Sequence, residues 1–523
     1  MPGRIVQLNR KPRDGRSRGI PKHAVPELII GDAGVEGDFN RWRAEKAGGD
    51  PDQAVLLLSD ETLGELRAEG WPVQPGELGE NLTVAGLAAG AMGPGVRLTV
   101  GDVELEISKA CDPCTILFGL PYVGTERGPA FLRALTGRRG WFARVIRGGT
   151  IRADMPIEIA GNGQRTGDGE AAVPRLAHDA FNSAVWPIPT DRLVTPTNQF
   201  FTRSHGPTPT IDPATWRLEV DGLVDRPRSF TLDELRAFPR RTVTATLVCA
   251  GLRRDEFLSL GPLPGELPWG PEPISTGEWA GVMLRDVLAA AGVQDRACHV
   301  QFVGLDCIER HGERFGFGGS IDLAKALRSE VLLATELNGA PLPPDHGFPV
   351  RAVVPGWIGA RSVKWLGRIT LAAEPSSNYF QAKAYRVQRQ LNSADPRDVS
   401  AGVAMSTVPL NAVILDPTPG RIVKSGAVTV RGWAMGSEGR RPRSVELSAD
   451  GGRNWVAARI ALGGAEWSWV FWEATVELAR GAHVLVTRAT DSTGTAQPER
   501  LADTWNVKGY GNNAWHRVPV RAE

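Results

Sequence analysis

Along most of this chain apolar residues recur at every second position in short runs, the spacing of half-buried β-strands. In VRLTVGDVELEIS, Val96, Leu98 and Val100 alternate with polar residues, Val103, Leu105 and Ile107 do so again, and Gly101-Asp102 between them predicts a hairpin. VTVRG, SVELS and HVLVTRA repeat the alternation beyond residue 405, separated by turns such as ADGG, which is the pattern of a β-sandwich. HVQFVGLD reads as a strand that ends at an acidic loop residue, Asp306. Three stretches change to helical spacing. Ser59 as N-cap and Gly70 just past the end bracket a helix over 60–69. Thr231 and Glu234 form a capping box, and Pro239 stops the short helix that follows. Leu284, Val287, Leu288 and Ala291 share one helix face, closed by Gly292.

These element types divide the chain into a mostly β segment over 1–162, a mixed segment over 178–398 and a second β segment over 405–523. A length of 523 residues suits about three domains. Between the first two, GNGQRTGDGEAAVP is small and polar without hydrophobic period, so residues 163–177 are expected to form a flexible linker. The formal net charge of +1 offers no basic surplus for nucleic acid or an anionic membrane, so any anion binding has to come from local cations. No apolar run reaches membrane-spanning length and the first residues lack a signal-peptide core, which predicts a cytoplasmic protein. No CxxCH, P-loop or strand-linked GxGxxG is present, so no haem, flavin or nucleotide site is expected.

Five cysteines make no disulfide framework in a chain of this length. Cys249 stands out, because in TLVCAGLRRDEF a strand-like run ends in a thiol followed by Arg253 and Arg254. Positive charge beside a thiol favours thiolate, the form that binds soft metals or attacks electrophiles. A buried structural cysteine beside surface arginines fits the same residues equally well.

Downstream stand PWGPEPISTGEWAGVMLRDVL, FVGLD, NGAPLPPDHGFPVRAVVPGWIGARSVKWLGRI and WNVKGYGNNAWHRV. Their order and separation, with TLVCAGLRRDEF, resemble the sulfite oxidase family of molybdenum enzymes over about residues 185–520. The resemblance implies an α+β molybdopterin-binding domain over 178–398 and an immunoglobulin-like β-sandwich over 405–523 that makes a homodimer. It implies Cys249 as the protein's thiolate ligand to molybdenum. It also implies that Arg203, His205, Asp306, His346, Arg351, Ser362, Val363 and Lys364 hold the molybdopterin. Chemically, Arg351 and Lys364 suit a phosphate, and Asp306 can accept from a pterin amino group. Arg203, Arg254, Trp269, Tyr385 and Lys508 match the family's substrate pocket, in which three cations would bind sulfite, Trp269 would wall the pocket and Tyr385 would donate a hydrogen bond. The chain departs from the family at Leu252 and Ser204, where Asn is usual, and at Lys508, where charge is kept but the bidentate fork of arginine is lost. The implied reaction is oxidation of sulfite to sulfate, with electrons passed to an acceptor the sequence does not name. A nitrate reductase-like enzyme is the alternative within enzymes, and a cofactor or sulfur carrier acting in maturation is the alternative outside them.

The first segment carries GDAGVEGDFN, DPDQAVLLLSDE, PGELGENLTVAGL and SKACDPCTIL, which resemble the MOSC family and imply an N-terminal β-barrel. The family's cysteine corresponds to Cys114, a candidate sulfur carrier or cofactor contact. Cys111 completes a CxxC, for which a dithiol–disulfide pair and inert packing both stay open. The His-Gly-Gly usual in that family is reduced here to Gly48-Gly49.

Overall fold

The computed structural model describes residues 3–12, 19–39, 50–87, 92, 96–111, 113–135, 137–159, 175–179, 181–261, 263, 265–310, 312–390 and 398–523. Gly48-Gly49 and residues 163–174 of the expected linker lie outside them. The chain divides into two compact units, Met1–Asp179 and Ala180–Glu523.

In the first unit the alternating runs close on themselves. Strands β1 (Gly3–Arg10), β2 (Val55–Ser59), β3 (Leu82–Ala85), β4 (Arg97–Val100), β5 (Val103–Ala110), β6 (Trp141–Arg147) and β7 (Pro156–Ile159) pair in the order β7-β4-β5-β6-β2-β3-β1, and β1 pairs back onto β7. The result is a seven-stranded barrel filled by inward residues such as Leu98, Val103, Leu105 and Ile107. The β4–β5 hairpin turns at Gly101-Asp102, where Val100 pairs with Val103 and Gly101 takes φ +58°, a backbone region that glycine enters freely. Helix α1 (Asp60–Ala68) starts where Ser59 Oγ accepts from the Thr62 amide.

The second unit holds two five-stranded sheets and then a β-rich C-terminal part. Strands β8 (Leu218–Gly222), β11 (His299–Gly304), β12 (Gly318–Asp322) and β15 (Leu366–Ala372) build the first sheet in the order β8-β15-β11-β12, with Arg228–Phe230 on the outer edge of β8. Strands β9 (Arg240–Val248), β10 (Ile274–Met283) and β13 (Leu332–Leu337) build the second, with β14 (Arg351–Val353) and Ala340–Pro341 both paired to β13. Helix α2 (Leu232–Arg236) begins with the capping box of Thr231 and Glu234. Helix α3 (Leu284–Ala291) buries Leu284, Val287, Leu288 and Ala291 in the core against the first sheet.

From residue 411 onward two further sheets share one core. Strands from Asn411–Asp416, Gly426–Met435, Arg459–Leu462 and Val470–Leu478 form one sheet, and Pro442–Ser448, Gly481–Asp491 and His516–Ala522 lead the other. Side chains from both, among them Ile414, Trp472, Leu447, Leu485 and Val518, fill the space between. No helix among the described residues is long and apolar enough to cross a membrane.

Candidate functional site

Strand ends from the two five-stranded sheets of 218–372 open into one cleft. Cys249 directly follows β9, its amide donates to the Pro273 carbonyl at 3.0 Å, and the Gly251 amide donates to its Sγ at 3.4 Å. This tight turn presents a buried thiol to the cleft. Arg254 packs closely on Gly251, where a Cβ would lie 2.7 Å from the guanidinium carbon.

Arg203, Ser204, His205, Asp306, His346, Arg351, Ser362, Lys364 and Tyr385 line the same cleft. Asp306 follows β11 and its Oδ1 accepts from the Phe317 amide at 2.8 Å. Burial raises its pKa, partly offset by that bond. Arg351 opens β14 almost fully buried, and its guanidinium donates only to carbonyls, those of His346 at 3.0 Å, Ser362 at 2.9 Å and Ala352 at 3.4 Å. Among the described residues no carboxylate pairs with it, and burial lowers its pKa to about 9. Lys364 Nζ donates to Ser204 Oγ at 2.6 Å and to the Asp345 carbonyl at 2.8 Å. Burial, then the neighbouring Arg351 charge, lower its pKa to about 7. Gly347 takes φ +108° where the chain turns between these two cations, and a Cβ there would meet Lys364 Cα at 3.2 Å.

Arg203 Nη1 donates to Asn182 Oδ1 at 3.0 Å and to the Ser204 carbonyl. His205 lies beside it, with Nε2 2.8 Å from the Tyr385 hydroxyl and its ring stacked on Phe317. Burial, then Arg203, hold the imidazole well below its ordinary pKa, while burial raises that of the Tyr385 phenol.

Four expected residues do not line this cleft. Val363 is core, and its backbone carbonyl accepts from Ala352 at 2.9 Å. Trp269 does not wall the cavity as expected. It is fully buried in the apolar cluster that holds Cys249, Phe200 and Trp279. Arg254 and Lys508 are not bare cations. Both pair with Glu266, Arg254 at 3.3 Å and Lys508 at 3.1 Å. Arg254 also lies over the Tyr510 ring, which stacks on Tyr385. Arg253, read from the sequence as supporting a thiolate, points elsewhere. Fully buried, it pairs with Glu256 at 2.6 Å and donates to Asn411 Oδ1 and the Ala514 carbonyl.

The sequence reading missed Glu266, Tyr510 and Asn182. Nothing in their local sequence marks them, because each matters through a partner distant along the chain.

In the first unit Cys111 is buried and Cys114 half-buried, and neither forms a disulfide among the described residues. Arg139, also missed, donates to Cys114 Sγ at 3.4 Å and to the Leu78 carbonyl at 3.2 Å. Burial disfavours its charge, but Cys111, Cys114 and the fully buried Glu80 outweigh that and hold its pKa above the usual value.

Residues 205–380 match the oxidoreductase molybdopterin binding domain family, residues 403–523 the Mo-co oxidoreductase dimerisation domain family, and residues 44–158 the MOSC domain family. Sulfite oxidase of Gallus gallus is 42% identical over 62% of this chain and 73% of its own length. Mitochondrial sulfite oxidase of Homo sapiens is 42% identical over 63% of this chain, which spans only 62% of the human protein. The solved sulfane dehydrogenase SoxCD from Paracoccus pantotrophus superposes with a TM-score of 0.57 at 25% identity, covering 70% of this chain and 96% of that one.

Proposed function

This chain belongs to the sulfite oxidase family, and we propose from that premise that its cleft oxidises sulfite to sulfate at a molybdenum cofactor and passes the electrons to an external acceptor. One observation carries the reading. A single buried thiol, Cys249, shares a cleft with Arg203, Arg351 and Lys364, none of which has a carboxylate partner among the described residues. Buried cations that no carboxylate contacts directly suit an anionic ligand.

The donor set fits a molybdenum–pterin cofactor. Among the described residues no group of three His, Cys, Asp or Glu could hold a metal ion, so a metal at Cys249 has to bring most of its own ligands, as a dithiolene-bearing pterin does. Arg351 and Lys364 would hold its phosphate, Asp306 would accept from the pterin amino group, and His346, Ser362 and the Val363 backbone would flank it. Bound there, the cofactor supplies two-electron oxygen-atom transfer, which no side chain performs.

The protein's own residues bind and orient. Arg203, fixed by Asn182 and the Ser204 carbonyl, directs positive charge at an oxyanion. Tyr385, protonated because burial raises its pKa, can donate to His205 or to a bound oxygen. Arg254 and Lys508 add charge from the Tyr510 side.

For the remaining parts we propose a homodimer made through an immunoglobulin-like C-terminal sandwich, a cytoplasmic location without haem or flavin, and boundaries near residues 162, 178, 398 and 405. In the N-terminal unit Cys114, with Arg139 donating to its sulfur, would take up sulfane sulfur or contact a cofactor. The functional reading is tested by molybdenum analysis of the purified protein together with sulfite-oxidation and nitrate-reduction assays on the same sample. Stoichiometric molybdenum with sulfite turnover supports it. Nitrate reduction without sulfite oxidation favours the nitrate reductase-like alternative.

A further inference from the structure

Among the described residues Glu266 is the only acid within ion-pair distance of Arg254 or Lys508. The three side chains are little exposed, at 4% for Arg254 and 16% for each of the others, so solvent screens the cluster weakly. Arg254 packs against Gly251, two residues from Cys249, and over Tyr510, whose ring stacks on cleft-lining Tyr385. The charge of Glu266 acts on Arg203 and on both tyrosines as well, adding to the burial that raises the two phenols. The carboxylate therefore faces the groups that would receive an anionic substrate. Its backbone lies outside any helix or strand, with its amide bonded to the Leu263 carbonyl at 3.2 Å.

Resting on the sulfite-oxidising reading of the cleft, we infer that Glu266 sets the affinity for substrate and product, as a tethered carboxylate that occupies an anion subsite at Arg254 and Lys508, bordering the cleft beside Tyr510 and Tyr385, and that sulfur oxyanions must displace. Two cations alone would hold sulfate as firmly as sulfite, which slows product release without helping the chemical step. A carboxylate attached to the same chain competes at a high effective concentration. It weakens substrate and product binding together and keeps the subsite partly neutralised between turnovers.

Glu266→Gln keeps the shape and removes the charge. In the holoenzyme the KM for sulfite and the inhibition constant for inorganic sulfate should each fall roughly tenfold or more, with kcat unchanged or lower. Calorimetric binding of inorganic sulfate to the resting holoenzyme should tighten by a similar factor. Constants that stay the same, or that rise because the carboxylate merely holds the cations in place, overturn the inference. If the variant is destabilised, inorganic sulfate should raise its Tm more than that of the wild type, and an equal or smaller rise also overturns it. Sulfate binding is read without turnover. A wild type that binds sulfate but does not oxidise sulfite overturns the functional reading, while the Glu266→Gln comparison still decides this inference.

Discussion

The Tyr385 hydroxyl and Nε2 of His205 stand 2.8 Å apart in the wall of the cleft, joining residues 180 positions apart in the chain. Burial drives the two in complementary directions, lowering the imidazole pKa and raising the phenol pKa. Both groups are consequently neutral across the physiological range, and a hydrogen bond joins them whose direction is set by the imidazole tautomer. Tyr385 holds this position with φ +52°, a left-handed conformation unusual for a large side chain.

Tyr385→Phe removes that donor without opening a cavity. Sulfite kcat should fall about 10- to 100-fold, the cost of one hydrogen bond near the reacting group, while molybdenum content is preserved. Because His205 is held neutral, the wild-type kcat/KM profile should show no inflection near pH 6.5 from this residue. Steady-state kinetics across pH check both statements.

Lys364 makes cofactor loading depend on pH. With its pKa lowered to about 7 by burial, the cofactor-free protein loses this charge as pH rises through that value. A bound phosphate would raise the pKa again, so binding takes up a proton. Affinity of the cofactor-free protein for molybdopterin should therefore decrease as pH rises from 7 toward 9, and Lys364→Met should flatten the decrease. Equilibrium binding followed by pterin fluorescence reads this without enzyme turnover.

Arg253 ties the turn after Cys249 to the C-terminal part through Glu256, Asn411 and Ala514. Arg253→Met leaves a largely buried carboxylate without its cation and should cost about 3 kcal/mol, read as a lower Tm. Burial raises the Glu256 pKa, but Arg253 and His516 outweigh it, so the folded value lies below the unfolded one. The stability this pair contributes is present above about pH 4.5 and is lost as pH falls through the folded pKa. The wild-type Tm should thus drop more steeply on acidification than that of the variant.

Cys114 and Cys111 differ in access, the first half-buried and the second buried. On incubation with a persulfide donor, mass spectrometry should find a sulfur adduct on Cys114 and none on Cys111. Cys114→Ala should abolish the adduct and leave oxidation of free sulfite unchanged. An adduct on Cys111 alone would contradict the proposed role.

The sequence showed most where function or fold is written locally. The hairpin at Gly101-Asp102, the capping box at Thr231 and the buried face of 284–291 each depend on neighbours a few residues away, and each is present. The residues around Cys249 were legible for a different reason, since the motifs that carry the family resemblance set particular side chains in particular turns. What stayed hidden was pairing across the fold. Arg253 and Arg254 are adjacent in sequence, yet one is a brace to the C-terminal sheets and the other reaches Glu266. Trp269 lies in the core in one apolar cluster with Phe200 and Trp279, a placement no spacing rule conveys. Arg139, in GRRG, is nearly fully buried beside Cys114, which nothing in the local sequence marks.

The central claim is that Cys249 binds the metal that oxidises sulfite. The most direct measurement is sulfite turnover per bound molybdenum, with Cys249→Ser compared against the wild type on the same preparations. Serine replaces a soft thiolate with a hard, largely protonated hydroxyl, while the proposed phosphate contacts of Arg351 and Lys364 would be kept. Wild-type protein should turn over sulfite, and the variant should keep part of its molybdopterin but lose at least about 100-fold in rate per molybdenum. Equal rates per molybdenum in the two proteins would contradict the account.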